Sequence, residues 1–211
     1  HDKFERKFEG KGEIVDPLEW DIKAYFLLGG AMHDAAIASW GLKGYYDYIR
    51  PISALRYMAQ NGQSSDSNLP NYNSTGIKLV EGFIESVKKD DVLAGKSAEN
   101  IGKIKVLSWR GHQYVKDPKT DYGGVGWILA ENWFPYQRPT FVTPNFSGYV
   151  SGHSTYSRAA AELMTLLTGD EFFPGGMGEF VAKKNEFLVF EKGPSQDIKI
   201  QCATYRDASN Q

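Results

Sequence analysis

The chain has 211 residues, 41% of them hydrophobic and 24% charged, with a formal net charge of −2. That is enough for one sizeable core, and the slightly acidic balance excludes nucleic acid and an anionic membrane as main partners, since neither attracts it. No apolar run approaches the roughly 20 residues that span a bilayer, and the one cysteine, Cys202, excludes a disulfide framework and a cysteine-rich metal site.

Residues 1–15 are charged and punctuated by glycine, and read as a loose lead-in to a single domain over 16–211. The start at His1, without a methionine, reads as processed or trimmed, and a secreted or periplasmic setting is the expectation. Asp16-Pro17 predicts a helix start, with Asp as N-cap and Pro at the first helical position. Leu18 to Trp40 is apolar on nearly every face and carries small residues at Gly29, Gly30, Ala31, Ala35 and Ala36, which predicts a helix inside a bundle. A second helix is expected from about Leu42 to Ala59, with a kink or boundary at Arg50-Pro51.

Asn61 to Thr75 reads as a surface loop, and Ile77, Val80, Ile84 and Val87 recur at the spacing of an amphipathic helix. Lys105 to Trp109 suits a short extended segment. Tyr114 to Tyr149, rich in Gly, Pro and aromatic residues, reads as a long ordered excursion walling a cleft. Gly152 to Leu167 predicts a helix stopped by Gly169. Phe187 to Phe190 and Ile198 to Gln201 flank a Gly-Pro-Ser turn and predict a β-hairpin, and a last helix begins near Thr204.

Two segments carry chemistry. Lys43 and Arg50 are seven residues apart, so on one continuous helix they leave the same face about 10.5 Å apart and can pinch a small multivalent anion. Asp47, between them, permits a second reading: an ordinary ion-pair ladder. The aromatic neighbours Trp40, Tyr45, Tyr46 and Tyr48 favour the first, because solvated ladders rarely sit in such company.

Ser151-Gly152-His153 falls where the aromatic excursion meets the Ala-rich helix. A helix N-terminus presents unpaired N–H groups and a positive dipole end, Gly152 lets an oxyanion reach them, Ser151 caps the helix or bonds the anion, and His153 can exchange a proton. A capped helix with an incidental histidine is the alternative. His33, beside Asp34, reads as a core residue; His112 has no partner at ligand spacing; no divalent metal site is predicted.

Together the segments resemble the PAP2 superfamily of acid phosphatases, lipid phosphatases and vanadium-dependent haloperoxidases. Lys43 to Pro51 fits its first motif, Lys, six residues, Arg-Pro; Ser151-Gly152-His153 fits its second, with Val150 in place of the usual proline. The interval of about a hundred residues between them, and the run Thr140 to Ser157, are similar to the haloperoxidase branch. The third motif, Ser-Arg, five residues, His, is absent, though Ala203 to Gln211 resembles the segment that leads into it, so the domain is expected to be C-terminally incomplete.

The resemblance implies an all-α helical bundle of the PAP2/chloroperoxidase type with a minor β-hairpin. It implies a vanadium-dependent haloperoxidase that oxidises halide with hydrogen peroxide, passing it to an organic acceptor. Lys43, Arg50, Ser151 and the Gly152 amide would hold vanadate, His153 would act as acid and base, and Trp40 would border the halide. Ser154 stands where haloperoxidases often carry alanine, leaving halide preference open. The same cradle suits phosphate, so a phosphomonoesterase acting on a phosphate ester is the alternative. A non-catalytic oxyanion-binding remnant is the third reading.

Overall fold

The longest element starts as its chemistry dictates. The Asp16 carboxylate accepts the Leu18 N–H at 2.9 Å, and Pro17, which has no N–H to leave unpaired, takes the first helical position. In the computed structural model, which describes residues 4–210, this helix, α1, runs Pro17–Tyr46. Three further α-helices follow, α2 Pro51–Gln60, α3 Gly152–Thr168 and α4 Tyr205–Asn210. The strands are β1 Ile84–Ser86, β2 Ile104–Trp109, β3 Val125–Leu129, β4 Gly178–Ala182 and β5 Ile198–Cys202. Contacts divide the chain into two units, one of His1–Tyr48, Phe146–Ala182 and Asp197–Gln211, the other of Ile49–Asn145 and Lys183–Gln196.

The first unit is the helical one. α3 packs along α1, and α4 packs on α3. The side chains α1 buries are Trp20, Ala35, Ser39 and Lys43, a single stripe at multiples of roughly four. Ahead of the helix, Phe8 stacks on Trp20 at 5.1 Å and Phe4 meets it edge-on at 5.2 Å. The outward face of α1 is apolar too: Leu18, Ile22, Tyr25 and Ile37 are exposed, and Phe26 is 79% exposed. A helix enclosed in a bundle was the expectation; in this unit, among the described residues, α3, the short lead-in and the segment 146–149 lie against α1 and leave much of its other face exposed.

The ends of α3 and α4 follow their local chemistry. Ser151 caps α3 by accepting the Ser154 N–H at 3.3 Å, and Gly169, at φ 74°, closes it in the left-handed conformation that suits glycine. At α4, Asp207 accepts the Thr204 N–H at 2.9 Å while Thr204 accepts the Asp207 N–H at 3.0 Å, a reciprocal cap. Arg206 then reaches back to Glu162 of α3 at 2.7 Å.

The expected C-terminal hairpin needs correction. β5 forms where predicted, but its antiparallel partner is β4, with Phe180 opposite Ile200, and Phe187 to Phe190 forms no strand. The Gly-Pro-Ser turn does not bring its flanks together as a ladder.

The second unit overturns the all-α expectation. β1, β2 and β3 form an antiparallel sheet in that order, with Val106 opposite both Ile84 and Ile128. Ala59 of α2 packs with Ile77, Ile104, Val106, Ile128 and Ala130 to make its core. The helix expected over Ile77 to Val87 is instead a turn and a strand. Gly82, at φ 77°, reverses the chain so that Val80 and Ile84 exchange backbone hydrogen bonds of 2.8 and 2.7 Å. β-Branched side chains at those positions suit the sheet at least as well as a helix. The extended reading of Lys105 to Trp109 holds as β2.

The second helix is likewise shorter than expected. Asp47 takes a left-handed conformation (φ 41°, ψ 49°) that ends α1, and Arg50 is extended ahead of Pro51, the first residue of α2. Leu42 and Lys43 therefore belong to α1, and Lys43 and Arg50 share no helix face.

One ion pair in the second unit gives it a pH signature. Lys105 is buried between Asp91, at 2.5 Å, and Glu85, at 3.4 Å, and lies 4.6 Å from the Trp127 ring. Burial alone would raise the Asp91 carboxyl, but the Lys105 ammonium and the Leu93 N–H outweigh it and hold the carboxyl below its usual range. A lowered folded-state value means the stabilisation is complete above the ordinary aspartate value of about 4 and fades as pH falls through the lower folded one. Lys105→Met is expected to cost about 3 kcal/mol at neutral pH, with the deficit shrinking once acid protonates Asp91. Denaturant titrations of both proteins across that range check this.

Candidate functional site

The last turns of α1 and the first turn of α3 meet in the first unit. Ser39, Trp40 and Lys43 come from α1 at spacings that place Ser39 directly one turn before Lys43. Lys43 is only 5% exposed. Its ammonium donates to the Ser147 carbonyl at 2.9 Å and, more weakly, towards the Gly148 carbonyl at 3.4 Å. It also lies 5.2 Å from the Phe146 ring and 5.7 Å from the Trp40 ring. Carbonyl oxygens and ring faces are the surroundings in which an ammonium keeps its charge away from water.

The bond runs in both directions. The Ser147 hydroxyl has the Lys43 carbonyl at 3.0 Å and the Tyr149 carbonyl at 2.9 Å as acceptors. Gly148 N–H donates to the Tyr48 carbonyl at 3.3 Å. The end of α1 is thus stitched to the segment that enters α3.

Gly152 is where the two helices touch. A β-carbon there would stand 3.0 Å from two Trp40 ring carbons and 3.9 Å from the Ser39 hydroxyl oxygen. Trp40 also packs on Phe146 at 5.3 Å and on Tyr156 at 6.2 Å. Ser39 is fully buried, and its hydroxyl has no partner among the described residues.

At the N-terminus of α3 the Ser151 carbonyl accepts the Thr155 N–H and hydroxyl, and the Ser151 side chain accepts the Ser154 N–H. The N–H groups of Gly152 and His153 precede the first intrahelical bond, so they point out of the helix end. Ser151 and His153 are both exposed. The turn therefore presents two amides, one hydroxyl and one imidazole at the positive end of a helix of 17 residues. That donor set, with a buried unpartnered hydroxyl and an ammonium nearby, fits a tetrahedral oxyanion.

Arg50 lies in the second unit. It lines a cavity of about 240 Å³ with Trp133, Pro135, Gln137, Phe141 and Thr143. Asp47 closes α1 through its backbone N–H, donating to the Lys43 carbonyl at 3.0 Å, so the three-residue ladder on one helix does not form. His33, read as a core residue, is exposed beside Asp34 at 3.7 Å. His112 bonds the Gln137 carbonyl through Nε2 at 2.7 Å. Among the described residues no three His, Cys, Asp or Glu side chains cluster as metal ligands. Ser147 and Ser39 escaped the reading of the sequence. Ser39 had a signal, since Ala35, Ser39 and Lys43 fall at intervals of four; Ser147 had none.

Two substitutions test this packing. Gly152→Ala presses a methyl on the Trp40 ring, which is 41% exposed and has room to tilt. It is expected to cost about 1–2 kcal/mol and to shift tryptophan fluorescence. Ser39→Ala removes a buried hydroxyl that has no bond, and is expected to raise stability by about 1 kcal/mol in thermal or denaturant unfolding.

Comparison with known families matches residues 23–211 to the VCPO second helical-bundle domain, VCPO being vanadium chloroperoxidase. No curated protein and no solved structure matches the chain. The matched stretch takes in both motif segments and every helix from the body of α1 to α4. The chain belongs to the family of the vanadium chloroperoxidase second helical-bundle domain.

Proposed function

We propose that this chain is an oxyanion-binding domain of the vanadium haloperoxidase type, in which Lys43, Arg50, Ser151, Gly152 and His153 hold vanadate. Family membership supports it. The observation that carries it is the glycine contact at the start of α3, where Gly152 lies against Trp40 within a turn of buried Lys43. For Arg50 the support is the motif it shares with Lys43.

When bound, vanadate supplies the Lewis acidity that polarises hydrogen peroxide towards attack by halide. The chain supplies charge balance, orientation and proton movement. The Gly152 and His153 amides would donate to the anion without reorganising, since the helix fixes them. The Ser151 oxygen accepts the Ser154 N–H, which leaves its own proton to donate to the bound anion. Lys43 and Arg50 offset the anion's negative charge, one as a point charge and the other as a planar fork. The exposed His153 ring would give and take a proton at an oxygen of the bound anion. Trp40 borders the halide with its ring. The small-molecule substrates are hydrogen peroxide, halide and an organic acceptor. The imidazole of the third motif is not among these 211 residues, so what these residues account for is anion binding and proton movement.

Titration of the chain with orthovanadate, followed by vanadium NMR, tests the reading. Saturable binding that phosphate displaces is expected. Lys43→Ala and Arg50→Ala should each weaken it by about 10- to 100-fold, the worth of a charged hydrogen bond. Loss through Lys43→Ala with none through Arg50→Ala would remove Arg50 from the site. No saturable binding at all would end the proposal.

A further inference from the structure

We propose that Ser147 is a positioning residue for Lys43, fixing its ammonium where an oxyanion at the start of α3 can use it. This rests on the oxyanion reading of that turn. Lys43 contributes its long side chain from the last full turn of a helix, where four single bonds would otherwise let the ammonium wander. Ser147 restrains it at both ends. The Ser147 carbonyl accepts from the ammonium at 2.9 Å, and the Ser147 hydroxyl lies 3.0 Å from the Lys43 carbonyl. Both residues are buried, Lys43 at 5% and Ser147 at 7% exposure, so water does not compete for these bonds.

The hydroxyl does two things that the carbonyl alone does not. It ties residue 147 to the backbone of α1, so that its carbonyl faces the ammonium at a fixed distance. It shares its single proton between the Lys43 carbonyl and the Tyr149 carbonyl at 2.9 Å, holding the 147–149 segment against α1 just before the Ser151 cap. Trp40 completes the arrangement, because one ring lies beside the Lys43 ammonium and against Gly152. Displacing the 147–149 segment therefore moves the ammonium relative to the first turn of α3. No charge is added by Ser147, and it touches no reacting atom; its effect passes through Lys43.

The test is vanadate affinity in a cycle of Ser147→Ala, Lys43→Met and the double variant, with Ser147→Thr as the conservative rescue. Ser147→Ala is expected to weaken vanadate binding five- to tenfold, the worth of about one buried hydrogen bond, and Ser147→Thr to restore most of it. In the Lys43→Met background Ser147→Ala should change nothing, because the group it positions is gone. A general loosening of the fold would instead weaken binding equally in both backgrounds, and that result overturns the inference, as does unchanged affinity in Ser147→Ala. If Ser147→Ala does not fold, Ser147→Cys, of similar size but a weak donor, takes its place with the same two outcomes. Failure of the parent chain to bind vanadate would refute the oxyanion reading itself, and is distinguishable because it appears before any substitution.

Discussion

A buried ammonium needs oxygen around it, and in this chain that need organises the first unit. Lys43 satisfies it with backbone carbonyls 104 and 105 residues away, while Ser147 returns a hydroxyl to the carbonyl of Lys43. The exchange draws the segment before α3 onto the end of α1. Once it is there, Phe146 and Trp40 close over the ammonium, and the Trp40 ring sets how near α3 can come. Only glycine fits at the contact without displacing the ring. The positive helix end, the ammonium and the imidazole-bearing turn thus arise from one packing problem with one solution.

The same constraint gives the proposed anion site its character. A site built from helix amides and a sequestered ammonium is rigid and already positive, so an anion entering it meets oriented donors. Belonging to the vanadium chloroperoxidase second helical-bundle domain family agrees with that chemistry. The fold departs from a pure bundle because the chain between α1 and α3 builds a second unit of its own, with a three-stranded sheet and a polar clasp at Lys105.

What could be read from the sequence was what local chemistry decides. Asp16-Pro17 starts α1, Gly169 ends α3 and Thr204 opens α4, each through a cap that involves neighbours along the chain. Errors came where distant residues decide. Ile77 to Val87 has helical spacing, yet Leu107 N–H donates to the Phe83 carbonyl and Gly82 provides the turn, so sheet pairing prevails. β5 was legible but β4 was not, since Gly178 to Ala182 lacks an alternating pattern and its pairing is non-local. The shared face of Lys43 and Arg50 failed at Asp47, although Pro51 already required Arg50 to be extended. The motif residues were picked out by their resemblance to a family pattern, whereas the contacts of Ser147 exist only in the tertiary structure.

The central claim is that the end of α1 and the start of α3 enclose one oxygen-rich anion. A crystal structure of the chain grown with orthovanadate tests it most directly. The account predicts density for the anion within hydrogen-bond distance of the Gly152 and His153 amides and in reach of the Lys43 ammonium. Vanadate bound elsewhere, with that turn occupied only by water at saturating concentration, would contradict it.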